Sequence, residues 1–177
     1  ALRSGVGAIV EAGADSSVAM GHNSFVSSKA TNAVAIGSGS QALGESAIAL
    51  GHGSVASGKQ SISIGTGNNV SGNHSGAIGD PNTISGNGSY AMGNNNTITQ
   101  DNSFVLGNNV SIDAKASDMS AANGATFNGS IALGNGSTVS APVGTASTTI
   151  QGTKYDFAGS KPVGTVSVGS AGEERTV

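Results

Sequence analysis

Ser61-Ile62-Ser63-Ile64-Gly65-Thr66-Gly67-Asn68-Asn69-Val70 holds, in ten residues, the pattern from which the fold of this chain is read. A phrase of alternating small and large side chains closes on Gly65, a turn-forming run follows, and a second apolar position, Val70, stands five residues after the glycine. Fourteen residues earlier the phrase is Ala47-Ile48-Ala49-Leu50-Gly51, and before that Ala33-Val34-Ala35-Ile36-Gly37. Downstream it returns at the same step as Ser75-Gly76-Ala77-Ile78-Gly79, Ser89-Tyr90-Ala91-Met92-Gly93 and Ser103-Phe104-Val105-Leu106-Gly107. Ser17-Val18-Ala19-Met20-Gly21 lies sixteen residues before the Gly37 phrase, Gly7 lies fourteen before Gly21, and Ser130-Ile131-Ala132-Leu133-Gly134 follows Gly107 by twenty-seven. A two-residue insertion and one spoiled coil account for these offsets. A fixed short period of this kind is the signature of a solenoid.

The alternation within each phrase is that of a β-strand, and its β-branched content suits a pleated surface. The second apolar positions, Val26, Ala42, Ala56, Val70, Ile84, Ile98, Ile112 and Val139, mark a second strand in each repeat. A helix is excluded: the apolar positions trace no 3.6-residue stripe, and each glycine in a helix interior would cost about 1 kcal/mol. Gly37-Ser38-Gly39, Gly65-Thr66-Gly67, Asp80-Pro81-Asn82 and Asn94-Asn95-Asn96 supply corners that tolerate positive φ. Two strands and two corners in fourteen residues make one coil of a narrow parallel β-roll, each coil pairing with the next at about 4.8 Å. Seven coils from Gly7 to about Gly107 rise roughly 34 Å.

Composition agrees. Of 177 residues, Gly 29, Ser 28, Asn 16 and Thr 13 make up nearly half, while Leu, Ile, Val and Phe supply about one fifth. That is a poor source for an ordinary core. Disorder is argued against by a net charge of only -3 and three prolines. Seven basic against ten acidic residues leave no basic footprint, so nucleic acid and direct membrane contact are not expected. No apolar run is long enough for a spanning helix and no signal peptide opens the chain, so anchor and leader are expected outside this fragment. With no cysteine there is no disulfide framework and no thiolate metal site or nucleophile.

The expected faces follow from placing large side chains inside. Val34/Ile36, Ile48/Leu50, Ile62/Ile64, Tyr90/Met92 and Phe104/Leu106 are expected to point into the roll, meeting Val70, Ile84, Ile98 and Ile112 from the second strands. Ala35, Ala49, Ala77, Ala91 and Ala132 point the opposite way and are the expected contacts between chains, because a roll this thin gains from oligomerising. The roll spans residues 1–141, with a looped-out, degenerate coil at about 115–129. A β-hairpin insertion with a Gly turn, Thr148 to Phe157, occupies 142–162, and Thr165-Val166-Ser167-Val168-Gly169 restores the phrase within 163–177.

At Gly21 through Gly107, and again at Gly134, the Ser-Val-Ala-Ile-Gly form with its Gly/Asn/Ser corner and second strand resembles the YadA-like head of trimeric autotransporter adhesins. Val166-Ser167-Val168-Gly169-Ser170, leading to Glu174-Arg175-Thr176-Val177, is similar to the start of that family's neck. The resemblance implies a left-handed β-roll assembled as a homotrimer. It also implies a place on the bacterial cell surface, with anchoring in the outer membrane by segments outside this fragment. The implied partners are host extracellular matrix or cell-surface receptors.

Other chemistry fails at particular residues. Gly53-Ser54-Val55-Ala56-Ser57-Gly58-Lys59-Gln60 approaches a phosphate-binding loop, but Gln60 stands where a magnesium-binding hydroxyl belongs and a strand follows in place of a helix. His22, His52 and His74 read as solvated corner residues, and His22 and His52, two coils apart, are too far from each other to share one ion. The carboxylates are scattered, with neither a calcium loop nor a hydrolytic pair. Asn-x-Ser/Thr triplets at Asn69, Asn73, Asn87, Asn95, Asn109, Asn128 and Asn135 read as corner and ladder residues stacked from coil to coil. No catalytic, cofactor-binding or metal residue is assigned. The sequence therefore reads as a non-enzymatic adhesive head. The alternatives are a β-helix carbohydrate-active enzyme, which needs an acid or base cluster on one face, and an ice-binding solenoid, which needs a Thr-x-Thr ladder where only Thr97-Ile98-Thr99 qualifies.

Overall fold

The computed structural model describes residues 1–113 and 127–177, and among these there is no helix. One parallel sheet takes the first strand of every coil: Leu2–Ser4, Val18–Met20, Val34–Ile36, Ile48–Leu50, Ile62–Gly65, Gly76–Gly79, Tyr90–Met92, Phe104–Leu106, Ile131–Leu133 and Val166–Ser167. The second parallel sheet takes Ile9–Val10, Phe25–Val26, Gln41–Ala42, Val55–Ala56, Asn69–Val70, Asn82–Ile84, Asn96–Ile98 and Ser111–Ile112. The architecture is a parallel β-solenoid. Among the described residues eight coils carry both strands, and the first-strand sheet runs on for two more.

The registers fix the coil length. Ile48 pairs with Ile62, and Gly76 with Tyr90, at steps of fourteen, whereas Leu2 with Val18 and Val18 with Val34 are steps of sixteen. Both long steps place their extra residues after the second strand, around Glu11–Asp15 and Ser27–Ala30. The first phrase-ending glycine is consequently Gly5, which stacks on Gly21, and not Gly7. Phe104 pairs directly with Ile131, so the first-strand ladder crosses the interval between them in a single step. Residues 114–126, which hold most of the expected degenerate coil, lie outside the described residues.

Two glycine positions are set by backbone approach. At the end of each phrase φ lies between +121° and +134° from Gly5 to Gly93, a region closed to most side chains. A Cβ on Gly65 or Gly93 would also sit inside contact distance of the carbonyl of Gly79 or Gly107 in the next coil. At the opposite corner, Gly44, Gly58 and Gly72 have ordinary φ, but a Cβ there would run into the carbonyl of Gly58, Gly72 or Gly86.

The facing of the first strands is the reverse of the expectation. Ala35, Ala49 and Ala132 have no exposed surface and Ala77 and Ala91 are equally enclosed, so these five alanines fill the roll's interior and cannot contact a neighbouring chain. Val34, Ile36, Ile48, Leu50, Ile62, Ile64, Tyr90, Met92, Phe104 and Leu106 point outward; Leu50 is 40% and Leu106 49% exposed. The reason is size. Five inward positions per coil converge on one narrow channel; in the coil of Ala35 they are Ala30, Ala33, Ala35, Ser40 and Ala42, all fully buried. A channel that takes five such residues in cross-section has no room for two large aliphatics more. Val70, Ile84, Ile98 and Ile112 from the second strands do lie inside.

The interior widens along the chain. From Ala14 to Ala56 it is alanine with Val26; from Val70 to Val139 it gains Ile84, Ile98, Ile112, Val105, Val110 and Phe127. Between the two apolar clusters lies a polar layer. Ser63 replaces the inward alanine, its hydroxyl lies 2.9 Å from that of Ser54, and Ser54 Oγ donates to the Ser63 carbonyl at 2.8 Å.

Beyond the last complete coil, Ser147–Ile150 and Thr153–Asp156 form an antiparallel hairpin. Gln151 and Gly152, at φ 50° and 83°, make the primed turn that suits a two-residue hairpin. Val166–Ser167 then rejoins the first-strand sheet against Ile131–Ala132.

Candidate functional site: the outer face of the first-strand sheet

Because the small residues are inside, the large residues of each phrase form two columns on the outside of one sheet. One column runs Val18, Val34, Ile48, Ile62, Gly76, Tyr90, Phe104, Ile131; the other runs Met20, Ile36, Leu50, Ile64, Ile78, Met92, Leu106, Leu133. Neither holds a charged side chain. One irregularity interrupts them. At Gly76 the side chain is missing, the Tyr90 ring leans over the vacancy so that a Cβ there would lie 2.8 Å from its Cδ1, and a hollow of about 170 Å³ opens between Ile62, Ile78, Met92 and Phe104.

Away from these columns the corners are polar, and the outward residues of the second-strand sheet pass from Ile9, Phe25, Gln41 and Val55 to Asn69, Thr83, Thr97 and Ser111. The position three residues after each phrase-ending glycine points inward and forms a buried ladder from Ser24 through Asn68, Asn82 and Asn96. Asn82 Nδ2 donates to Asn68 Oδ1 at 2.9 Å and to the Gly93 carbonyl at 2.7 Å, while Asn82 Oδ1 accepts from Asn96 Nδ2 at 2.9 Å. The ladder ends where the Val110 amide donates to Asn96 Oδ1. Asn68, Asn82 and Asn96 are a functional feature of the stack that the sequence reading missed; their signal was the fourteen-residue spacing of asparagine three places after glycine. A second, exposed ladder runs along a corner: the Lys59 amide donates to Asn73 Oδ1, Asn73 to Asn87 Oδ1, Asn87 to Asp101 Oδ1, and Asp101 to Asn128 Oδ1.

Each residue weighed for chemistry has a structural place. His22, His52 and His74 are exposed at corners, and His74 has φ 55°. Lys59 pairs with Glu45 at 2.9 Å, and the loop around it is a strand and a corner with Ser54 buried. Glu11 Oε2 accepts from the Ser28 amide and Asp113 Oδ1 from Thr99 Oγ1. Glu174 is held below the ordinary glutamate range by the Gly172 amide, which donates to Oε1 at 2.8 Å. No group of three or more His, Asp or Glu able to hold a metal occurs among the described residues. Arg175 lays its guanidinium against Gly134 and donates to the Asn135 carbonyl and to Ser137 Oγ.

Comparison with known proteins places this geometry in context. Residues 28–54, 56–80 and 85–109 match the YadA head domain repeat. Over 42 residues the chain is 60% identical to the autotransporter adhesin BtaE of Brucella suis biovar 1, a match that covers 24% of this chain and 6% of that protein. Among solved structures, the C-terminal YadA-like domain of BPSL2063 from Burkholderia pseudomallei is 33% identical, covering 62% of this chain and 36% of that one, with a TM-score of 0.32.

Proposed function

From a chain that carries YadA head domain repeats, we propose a non-enzymatic adhesive head that works as a homotrimer on the bacterial cell surface. The observation that carries this reading is the uncharged double column of large side chains on the outer first-strand face. Met20, Ile48, Leu50, Ile78, Tyr90, Met92 and Leu106 are each more than a third exposed and lie side by side in these columns. A monomer's largest apolar patch is typically about 300–600 Å². One partner in a standard interface contributes about 800 Å². Two further copies cover such a face in a closed threefold assembly, which buries what a lone roll leaves wet.

Host matrix or cell-surface ligands are then met by the faces that remain. The corners repeat Ser, Asn and Gly from coil to coil, the second-strand sheet turns Asn69, Thr83, Thr97 and Ser111 outward, and three copies around an axis let weak contacts add. Anchoring in the outer membrane belongs to parts of a longer protein. An enzyme is disfavoured because the polar side chains are engaged in stacking and form no acid, base or nucleophile cluster among the described residues. Two measurements test the proposal: the mass of the purified chain by light scattering, and its binding to a solid-phase panel of matrix proteins against a denatured control. A monomer at micromolar concentration overturns the assembly. Equal binding by native and denatured protein, or turnover of a ligand, overturns the adhesive role.

A further inference from the structure

Three Asn-Gly peptide bonds lie on described corners, and each is gripped by the preceding coil. At Asn87-Gly88, Asn73 holds both ends: its amide donates to Asn87 Oδ1 at 2.9 Å, and its carbonyl accepts the Gly88 N–H at 2.9 Å. At Asn128-Gly129, Asp101 does the same, donating to Asn128 Oδ1 at 2.9 Å and accepting from the Gly129 N–H at 2.9 Å. At Asn135-Gly136 the work is divided between neighbours. Asn109 Nδ2 donates to Asn135 Oδ1 at 2.9 Å, and the Asn108 carbonyl accepts the Gly136 N–H at 2.8 Å.

Asn-Gly is a chemically labile pair because glycine offers no Cβ to hinder its own nitrogen. In the reaction the glycine N–H loses its proton and the nitrogen attacks Cγ of the asparagine. The carboxamide nitrogen leaves as ammonia, and water then opens the succinimide ring to aspartate or isoaspartate. Both reactants must be free to move. Here the nitrogen's proton is committed to a carbonyl of the coil before, and the carboxamide is fixed through its oxygen by a donor of that same coil.

We propose that Asn87-Gly88, Asn128-Gly129 and Asn135-Gly136 are latent deamidation sites, held silent by coil stacking and released when the neighbouring coil opens. Reaction at Asn87 is self-propagating. Asn87 Nδ2 lies 3.3 Å from Asp101 Oδ1, so a new carboxylate there faces an existing one, and the isoaspartate product lengthens the backbone of a coil whose pairing depends on a fixed step. The inference rests on the intrachain ladder alone and is independent of the adhesive reading.

Peptide mapping by mass spectrometry tests it. The full chain is incubated at mildly alkaline pH, native and in unfolding urea, and conversion of each Asn-Gly is followed together with hydrogen exchange of the glycine amide. Native conversion at the three sites is expected to be at least about tenfold slower than in urea, with each site's protection tracking exchange of its own glycine N–H. Conversion at the unfolded rate while the Gly88, Gly129 and Gly136 amides remain slow to exchange overturns the proposal, as does equal conversion in both conditions.

Discussion

Asn68 and Asn82 share one oxygen: Asn68 Oδ1 accepts both the backbone amide of Asn82, at 2.7 Å, and its side-chain amide, at 2.9 Å. Both residues are buried, and every polar atom between them is used. Replacing Asn82 by alanine removes the donor to the Gly93 carbonyl, empties half of the Asn68 acceptor and takes away the oxygen that accepts from both the backbone and the side-chain amide of Asn96, whose Nδ2 keeps only the Gly107 carbonyl. Buried groups left unpaired cost about 1–3 kcal/mol each, so N82A is expected to destabilise the roll by roughly 3 kcal/mol. Urea denaturation measures it, and a loss under about 0.5 kcal/mol contradicts the ladder's energetic role.

Glycines with positive φ are not equivalent. Gly65 combines φ +125° with the carbonyl of Gly79 in the space a Cβ would take, whereas Gly53, at φ +62°, has nothing within 4 Å. G65A is expected to cost several kcal/mol and G53A about 1 kcal/mol. Thermal melts of the two variants side by side decide it; equal melting temperatures would mean that coil contact is not what selects Gly65.

Inner and outer substitutions should separate folding from assembly. A49L forces three more heavy atoms into an alanine channel and is expected to unfold the roll around it, with a cost of roughly 3 kcal/mol or more. L50E places a charge on the outer columns and should leave the circular dichroism of the roll intact while reducing the mass of the assembly to that of one chain. The converse pattern, a tolerated A49L and an unfolded L50E, would restore the large residues to the interior.

Binding should be distributed. H22A, H52A and H74A are each expected to alter ligand affinity by a few-fold at most, under about 1 kcal/mol, because each histidine is one exposed corner among many. Abolition of binding by one of them in a surface-plasmon titration would point to a localised site.

The Glu174 carboxylate titrates below its ordinary value because its charged form accepts the Gly172 amide. Its contribution to local order is therefore present above the ordinary glutamate pKa and is lost as pH falls through the lowered folded value. Acidification should shift the Gly172 amide resonance while leaving that of Gly93, which donates to the Ile78 carbonyl within the stack, in place. An unmoved Gly172 resonance argues against the contact.

Much of the roll was legible because its period is a backbone property. Phrase-ending glycines, corners and the second-strand positions Val70, Ile84, Ile98 and Ile112 all follow from a chain that must return to the same place. Facing was not legible by the usual rule, since alternation defines two faces without saying which is enclosed. The deciding signal was variance in size. Down the outer column the residue passes from Gly76 to Tyr90 to Phe104, a range only open space tolerates, whereas from Ala19 to Ala132 the inner column never exceeds Val105. Gly7 misled because it happens to lie one standard step from Gly21, while the true step there is sixteen. The Asn68, Asn82 and Asn96 ladder was hidden because asparagine beside glycine reads equally well as an exposed turn.

The hydrogen-bonded layer of Ser54 and Ser63 makes the roll a body with a seam. Grease is continuous on either side of it and interrupted at it, so a disturbance that melts the alanine-lined end meets a change of material before it reaches the isoleucine-lined end. When such a rod is peeled from its narrow end, the part beyond Val70 keeps an apolar core of its own, set apart by one hydroxyl in a column of methyl groups.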